Sequence, residues 1–375
     1  MKKSQLPDFP VRTFDIERPH SASIIIDNYN YADFVGEAIE SALAQTHPAQ
    51  VVVVDDGSTD ESRDVIQSFG ERVETVFKSN GGQASALNAG FAKSTGDIIF
   101  FLDADDMLEP YAVAEMLKCW RLGTVLAHYP MTIIDVHSVE HGTMPGAPAR
   151  LADGDVRSEL LANGGFASTV MSGMTFSHAA LHRVMPMPEC DFVYAADGYL
   201  LRAVAFLGSI QYVETRLARY RLHSRNDSDP LNAPNGLAAG FRKKIRYSQN
   251  EFETTRKFAK IHGLPVASDL GERDADFLSY RLFSLLIDPV HHPILSDHRF
   301  NLLCRYVIRR WVSSWSLRRR VMSISLAIAA SFVNARNASK LIQWMHHTNS
   351  RPRWFQNLAS TLRESANSNV QVETE

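Results

Sequence analysis

Cysteine is nearly missing: the 375 residues hold three, Cys119, Cys190 and Cys304, far apart and without a CxxC pair. This argues against a zinc knuckle and a disulfide framework, and a reducing compartment is the expectation. The first twenty residues contain no apolar run of signal-peptide length, so a cytoplasmic location is expected. No stretch reaches the roughly 20 apolar residues that cross a bilayer. The mainly apolar segment from Val321 to Val333 stops at thirteen. The only glycine-rich turn of note, SNGGQ at 79–83, is followed by no Gly-Lys-Ser/Thr and does not fit GxGxxG, which excludes a Walker loop and a dinucleotide fingerprint. HExxH is absent as well. Acid is missing from one long interval: His298 through Arg363 contains no Asp or Glu but twelve Lys or Arg.

What is present reads as an ordered globular chain, with 45% hydrophobic and 22% charged residues. Its length suits one large domain plus an addition, or two domains. Residues 1–20 form a leader, 21–228 the main domain, and 229–375 a mainly helical region. From Ser23 the chain alternates short β-branched runs with helical periods: SIII, then FVGEAIESALAQ; VVVV at 51–54, then a helix start; ETVFK, then ASALNAGFAKS; and DIIFFL, which runs into DADD. Such repeated βα steps predict an α/β fold, a mostly parallel central sheet with helices on both faces. Farther on, TVLAHYPMTIIDV and SIQYVETRLARYRL each read as one strand. Phe176–Val184 and AADGYLLRAVAFLG read as helices, and the glycine- and proline-bearing 137–155 segment as an excursion or lid.

Three strand ends carry the candidate chemistry, as open α/β sheets place ligands beyond the carboxyl ends of their strands. Asp103, Asp105 and Asp106 offer hard oxygen donors suited to Mg²⁺ or Mn²⁺. An acidic capping turn fits the same string equally well. Asp55 and Asp56 could grip a ribose or base, or could cap the next helix through Ser58, Thr59 or Asp60. The SNGGQ turn could approach a phosphate closely.

In their order, SIIIDNYN, VVVVDDGSTDES, KSNGGQASALNAG and GDIIFFLDADD resemble family 2 glycosyltransferases of the GT-A fold, closely over 21–110 and more loosely to about 228. The resemblance implies a nucleotide-diphosphate sugar donor, UDP-sugar by family default, and a saccharide or lipid-linked acceptor in cell-surface glycan synthesis. It implies transfer with inversion and a Mn²⁺ or Mg²⁺ cofactor. Asp56 then matches the acid that contacts base or ribose, with Asn28 and Tyr29 lining the same pocket and Asn80 and Gly82 forming the turn after the third strand, Asn88 behind it. Asp103 and Asp105 match the DxD motif, Asp105 as the direct metal ligand. Asp197 falls where the family has its general base, although Ala196 stands where a Glu is usual. RYRLHSRNDS resembles the stretch that makes His223 a metal or pyrophosphate contact. A nucleotidyl transferase and a degenerate GT-A scaffold or carbohydrate-binding protein are the competing functions.

The acid-free region contains Arg305, Arg309, Arg310, Arg318, Arg319 and Arg320 among apolar residues and tryptophans. Peripheral contact with an anionic membrane and simple packing onto the main domain both account for it. Nucleic acid ranks last as a partner, because no reading motif accompanies the charge.

Overall fold

The computed structural model describes residues 19–146, 150–226, 236–313 and 315–346. The leader, except for its last two residues, lies outside them, as do 227–235 of the expected link and everything from His347 onward. The described residues divide into two compact units. One takes in the chain up to Asn226 together with Arg246–Gly271; the other takes in residues of Asp227–Ile245 and the chain from Glu272 on.

The first unit opens with β1 (Ala22–Asn28), α1 (Ala32–Leu43), β2 (Gln50–Asp55), α2 (Ser62–Gln67), β3 (Glu74–Phe77), α3 (Gln83–Phe91) and β4 (Ile98–Asp103). These four strands are parallel, in the order β4-β1-β2-β3. Alternation along them feeds two cores. Ile24, Ile26, Val51, Val53 and Phe100 pack on one face with Val35 and Ile39 of α1. Ile25, Val52, Val54, Ile99 and Phe101 pack on the other with Leu87 of α3. Both faces being covered is why β1, β2 and β4 read as unbroken apolar runs.

Next come β5 (Met107–Leu108), α4 (Ala112–Cys119), β6 (Thr124–His128), β7 (Met131–Ile134), β8 (Glu140–Met144), α5 (Arg157–Asn163), β9 (Met174–Ser177), α6 (His178–Val184), α7 (Ala196–Val204), β10 (Ser209–Tyr212) and β11 (Ala218–Arg221). The main sheet is ordered β10-β6-β9-β4-β1-β2-β3, and β9 alone runs antiparallel to its neighbours. A mostly parallel sheet with helices on both faces is therefore present as expected.

Three details correct the sequence-based expectations. TVLAHYPMTIIDV and SIQYVETRLARYRL are not single strands. Each steps from the main sheet into a second sheet, β5-β11-β7-β8, so that β7 and β11 pair with each other. Pro130, which has no N–H for a ladder, sits at the first break. Phe176 is not helical. It lies opposite Ile99 and Leu126 in β9, and Ser177 then caps α6, its side chain accepting from the Ala180 amide. The expected excursion after His137 holds β8, whose exposed residues pair with β7.

The second unit contains the first ten residues of α8 (Gly236–Ile261), then α9 (Ala275–Ile287), α10 (Arg299–Trp311), α11 (Leu317–Ser331) and α12 (Ala335–His346). Phe241, Leu282, Phe283, Leu303, Tyr306, Ala327 and Ile342 form its core. At its edge Arg281 bonds both Asp297 and Glu272, and His292 lies 3.0 Å from Asp297. Burial works to raise the Asp297 pKa; the bonds and charges of Arg281 and His292 outweigh it and hold the carboxyl at about 2. A folded value below the unfolded one stabilises fully above about pH 4, and the gain is lost as pH falls toward 2. Asp297→Asn is therefore expected to lower the melting temperature at pH 7 by an amount that shrinks on acidification. A deficit independent of pH would contradict this.

Candidate functional site

Register brings the candidate residues together before any side chain is considered. Asp27 of β1 lies opposite Asp103 of β4, and Asn28 opposite Asp55 of β2, all at the carboxyl ends of neighbouring parallel strands. Loops leaving these ends converge over one edge of the sheet, where ligands of such folds collect.

The two aspartates after the valine run divide their work. Asp55 is fully buried and holds the strand ends in place, accepting from Asn28 Nδ2 at 3.0 Å, from the Ser58 amide and from Arg63 Nε at 2.9 Å. Asp56 reaches the SNGG turn. It accepts from the amides of Gly81 and Gly82, the latter at 2.7 Å, and pairs with Lys78. Asn80 meets this loop through its backbone: a Cβ on Gly57, whose φ is +79°, would lie 2.6 Å from the Asn80 nitrogen. Tyr29 stands outward, 46% exposed, while Asn28 is turned inward onto Asp55 and Ser58. The expected nucleotide residues thus share one locality, with Asp56, Gly81 and Gly82 in direct contact.

Gly82 admits no side chain. Its φ is +85°, and a Cβ would come within 2.6 Å of the Val193 carbonyl oxygen and Cγ1. Immediately after it, the Gln83 and Ala84 amides donate to the carbonyls of Val193 and Phe192. Gly82→Ala is expected to cost about 2 kcal/mol or more, from left-handed strain plus overpacking. Because the turn would move off Asp56, nucleotide affinity should fall with it. Melting and nucleotide titration of the variant check both, and unchanged values would contradict the fit described.

Oxygens of Asp103, Asp105 and Asp106 lie within 4.8 Å of one another. Asp103 accepts from Gln83 Nε2 at 3.1 Å. Asp106 accepts the Arg221 amide on one oxygen, while its other oxygen and Oδ1 of Asp27 are buried without a hydrogen-bond partner. Burial, then the charge of Asp105, raises the Asp27 pKa to about 7. Burial, then the charge of Asp27, pushes Asp103 well above the usual carboxylate range, with Asp106, Asp105 and Asp197 adding to it. Burial, then Asp105, does the same to Asp106. Packing acids this tightly is unfavourable unless a cation compensates them. A hard divalent ion such as Mg²⁺ or Mn²⁺ fits the donors present, since they are carboxylate oxygens, one of them, on Asp106, buried and unsatisfied.

His223 lies against this cluster, its Nε2 2.8 Å from Asp105 Oδ2. The Arg225 amide donates to Nδ1 at 3.0 Å, so a neutral ring carries its proton on Nε2 and donates it to Asp105. In this arrangement His223 orients the carboxylate. The ring is stacked on Phe34, with the Tyr31 ring edge-on. Behind the same turn is Arg221, whose side chain is fully buried. It donates to the Asp105 carbonyl at 2.9 Å, to Glu37 at 2.6 Å, to the Asp135 carbonyl and to Ser138 Oγ.

Asp197 sits in the first turn of α7, half-buried, after Ala195 in the left-handed conformation. Gln83 links it to the metal-ligand candidates: the amide that donates to Asp103 through Nε2 accepts the Ala196 N–H on Oε1 at 3.1 Å. Gly198, the residue after Asp197, is packed so closely on Glu251 that a Cβ would lie 2.2 Å from the Glu251 carboxylate. Sequence reasoning missed Asp27, Gln83 and Arg221 as site residues. Each lies inside a motif it had singled out, SIIIDNYN, SNGGQ or RYRLH, so position was signalled while role was not.

Residues 23–176 match the sequence profile described as glycosyl transferase family 2. An uncharacterised glycosyltransferase of Nostoc sp. is 36% identical over 214 residues, 55% of this chain and 66% of that protein. One of Rickettsia prowazekii is 41% identical over 97 residues, 26% and 30% of the two chains. The chain thus spans just under two thirds of the first relative's length and under a third of the second's. Among solved structures, Staphylococcus aureus TarS 1–349 in complex with UDP aligns over 87% of this chain and 92% of its own, with 14% identity and a TM-score of 0.43. The mannosyltransferase PcManGT from Pyrobaculum calidifontis, in complex with GDP-Man and Mn²⁺, aligns over 80% and 90%, with 18% identity and a TM-score of 0.42.

Proposed function

Because this chain belongs to glycosyl transferase family 2, with its GT-A fold, we propose that it transfers a sugar from a nucleotide-diphosphate sugar to a saccharide or lipid-linked acceptor, inverting the anomeric centre. The observation that carries the proposal is the meeting of three carboxylates within 4.8 Å beside a glycine turn clasped by Asp56.

Asp105 and Asp103 would hold Mn²⁺ or Mg²⁺, with His223 keeping Asp105 in place. The ion, when bound, would supply Lewis-acid stabilisation of charge on the departing diphosphate. The chain's own residues do the rest. Asp56 and the Gly81–Gly82 turn seat the nucleoside, for which uridine is proposed, with the exposed Tyr29 ring a stacking surface for its base. Asp197, at the N-terminus of α7, takes the proton from the acceptor hydroxyl as its oxygen attacks. One displacement breaks the bond to the diphosphate and forms the new glycosidic bond, which inverts the anomeric carbon. Gln83 keeps the two halves of this arrangement in register, because it bonds to both.

The test is release of nucleoside diphosphate from a panel of UDP-, GDP- and dTDP-sugars with Mn²⁺. Asp105→Asn is expected to reduce release by about 10³-fold, the scale of losing a preorganised electrostatic element. Absence of turnover with every donor, by a folded wild type given saccharide and lipid-linked acceptors, would favour a scaffold, for which Ala196 in the usual Glu position is the motivating residue.

A further inference from the structure

Helix α10 is apolar on two sides. Leu302, Leu303 and Tyr306 enter the core of the second unit, whereas Phe300, Ile308 and Trp311 are 75%, 62% and 52% exposed. Together with exposed Cys304 these follow the i, i+4, i+8, i+11 spacing of a single helical stripe. Helix α11 runs back alongside. Tyr306 bonds Ser323, Arg320 donates to the Trp311 carbonyl, and Arg299 donates to the Val333 carbonyl. This puts the start of α11, where Leu317 and Val321 are also exposed, beside the end of α10.

The segment that carries this surface has charge of one sign. From His298 to His346 there are nine Lys or Arg and no Asp or Glu. Arg305 and Arg310 are engaged by Glu272 and Asp276 of preceding segments, while Arg309 is half-buried and Arg318, Arg336 and Lys340 are exposed. An apolar stripe on a segment whose own charges are all positive, with Glu272 and Asp276 reaching it from preceding segments, is matched by a bilayer surface, whose acyl boundary accepts the apolar side chains while anionic headgroups meet the exposed arginines. A second copy docking through the same patch would set arginine against arginine. Among the described residues no helix is long and apolar enough to cross a membrane.

We propose that the outer stripe of α10 and the start of α11 dock this protein on an anionic phospholipid surface. The inference stands on the second unit alone and is independent of the donor reading.

The experiment is co-sedimentation of the full chain with phosphatidylcholine vesicles, with and without phosphatidylglycerol. Binding to the mixed vesicles, weak binding to the neutral ones and loss at high salt are expected. Trp311→Ser with Leu317→Ser should abolish binding. Arg309→Glu with Arg318→Glu should weaken it by more than about tenfold, given the contribution of each basic residue at such a surface. Circular dichroism checks that both variants are folded, and either folded variant decides the matter alone. Failure of the wild type to sediment with phosphatidylglycerol would overturn the proposal. So would binding that survives in the variants, which assigns it to another segment, and so would a wild-type dimer that the serine variant makes monomeric without vesicle binding.

Discussion

Arg221→Met is expected to lower the unfolding free energy by about 3 kcal/mol, the scale of breaking a buried ion pair, and to remove metal-dependent nucleotide binding in the same protein. The guanidinium is fully buried, stacked 5.0 Å over Phe34, and fans its donors across Asp105, Asp135, Ser138 and Glu37. It is also a cation near three crowded carboxylates, and its charge works against the rise in the Asp106 pKa. Methionine would leave the Asp105 carbonyl without its guanidinium donor and the acid cluster without this counter-charge, while the Asp135 carbonyl keeps the Ser138 amide. Arg221→Lys separates charge from geometry. Lysine retains the positive charge but lacks the planar fork, so it should restore part of the stability and little of the nucleotide affinity. Urea unfolding read beside nucleotide titration checks this. Full rescue by lysine would show that charge alone matters, and an unaffected methionine variant would contradict the account of the turn.

Asp197→Asn is expected to reduce turnover by roughly 10²- to 10⁴-fold while leaving donor affinity nearly unchanged, the range for losing a general base. The side chain lies in the first turn of α7 and accepts from the Gly198 amide at 2.9 Å. Its hydrogen-bonded connection to the nucleotide side runs through the Ala196 backbone and Gln83, which asparagine at 197 leaves intact, and loss of its charge removes only the last of the contributions that raise the Asp103 pKa. Turnover at saturating acceptor, measured with a separate donor titration, distinguishes the roles. Equal loss in both would make Asp197 a structural member of the donor site instead.

Much of this site is legible in the amino-acid sequence, for a physical reason. β1, β2 and β4 are buried on both faces, so they appear as uninterrupted runs, and the residues that follow them are the ones that leave the sheet together. What stays hidden depends on partners far away in the chain. Phe176 precedes a true helix, and only its place between β4 and β6 makes it a strand residue. The breaks that create β7 and β11 follow from those two strands pairing with each other, which neither segment reveals alone. Gln83 and Arg221 are polar residues within recognised motifs. Their roles come from reaching Ala196, 113 residues away, and Glu37, 184 residues away. Asp27 reads as the polar end of a strand until the pairing register sets it opposite Asp103.

The most direct measurement of the central claim is calorimetric titration of UDP, GDP and dTDP, each with and without Mn²⁺, into the wild type and into Asp103→Ala/Asp105→Ala. The account predicts metal-dependent binding of a nucleoside diphosphate, UDP foremost, that disappears in the double variant. A folded wild type that binds none of the three in the presence of the metal, or a double variant that binds as the wild type does, would contradict it.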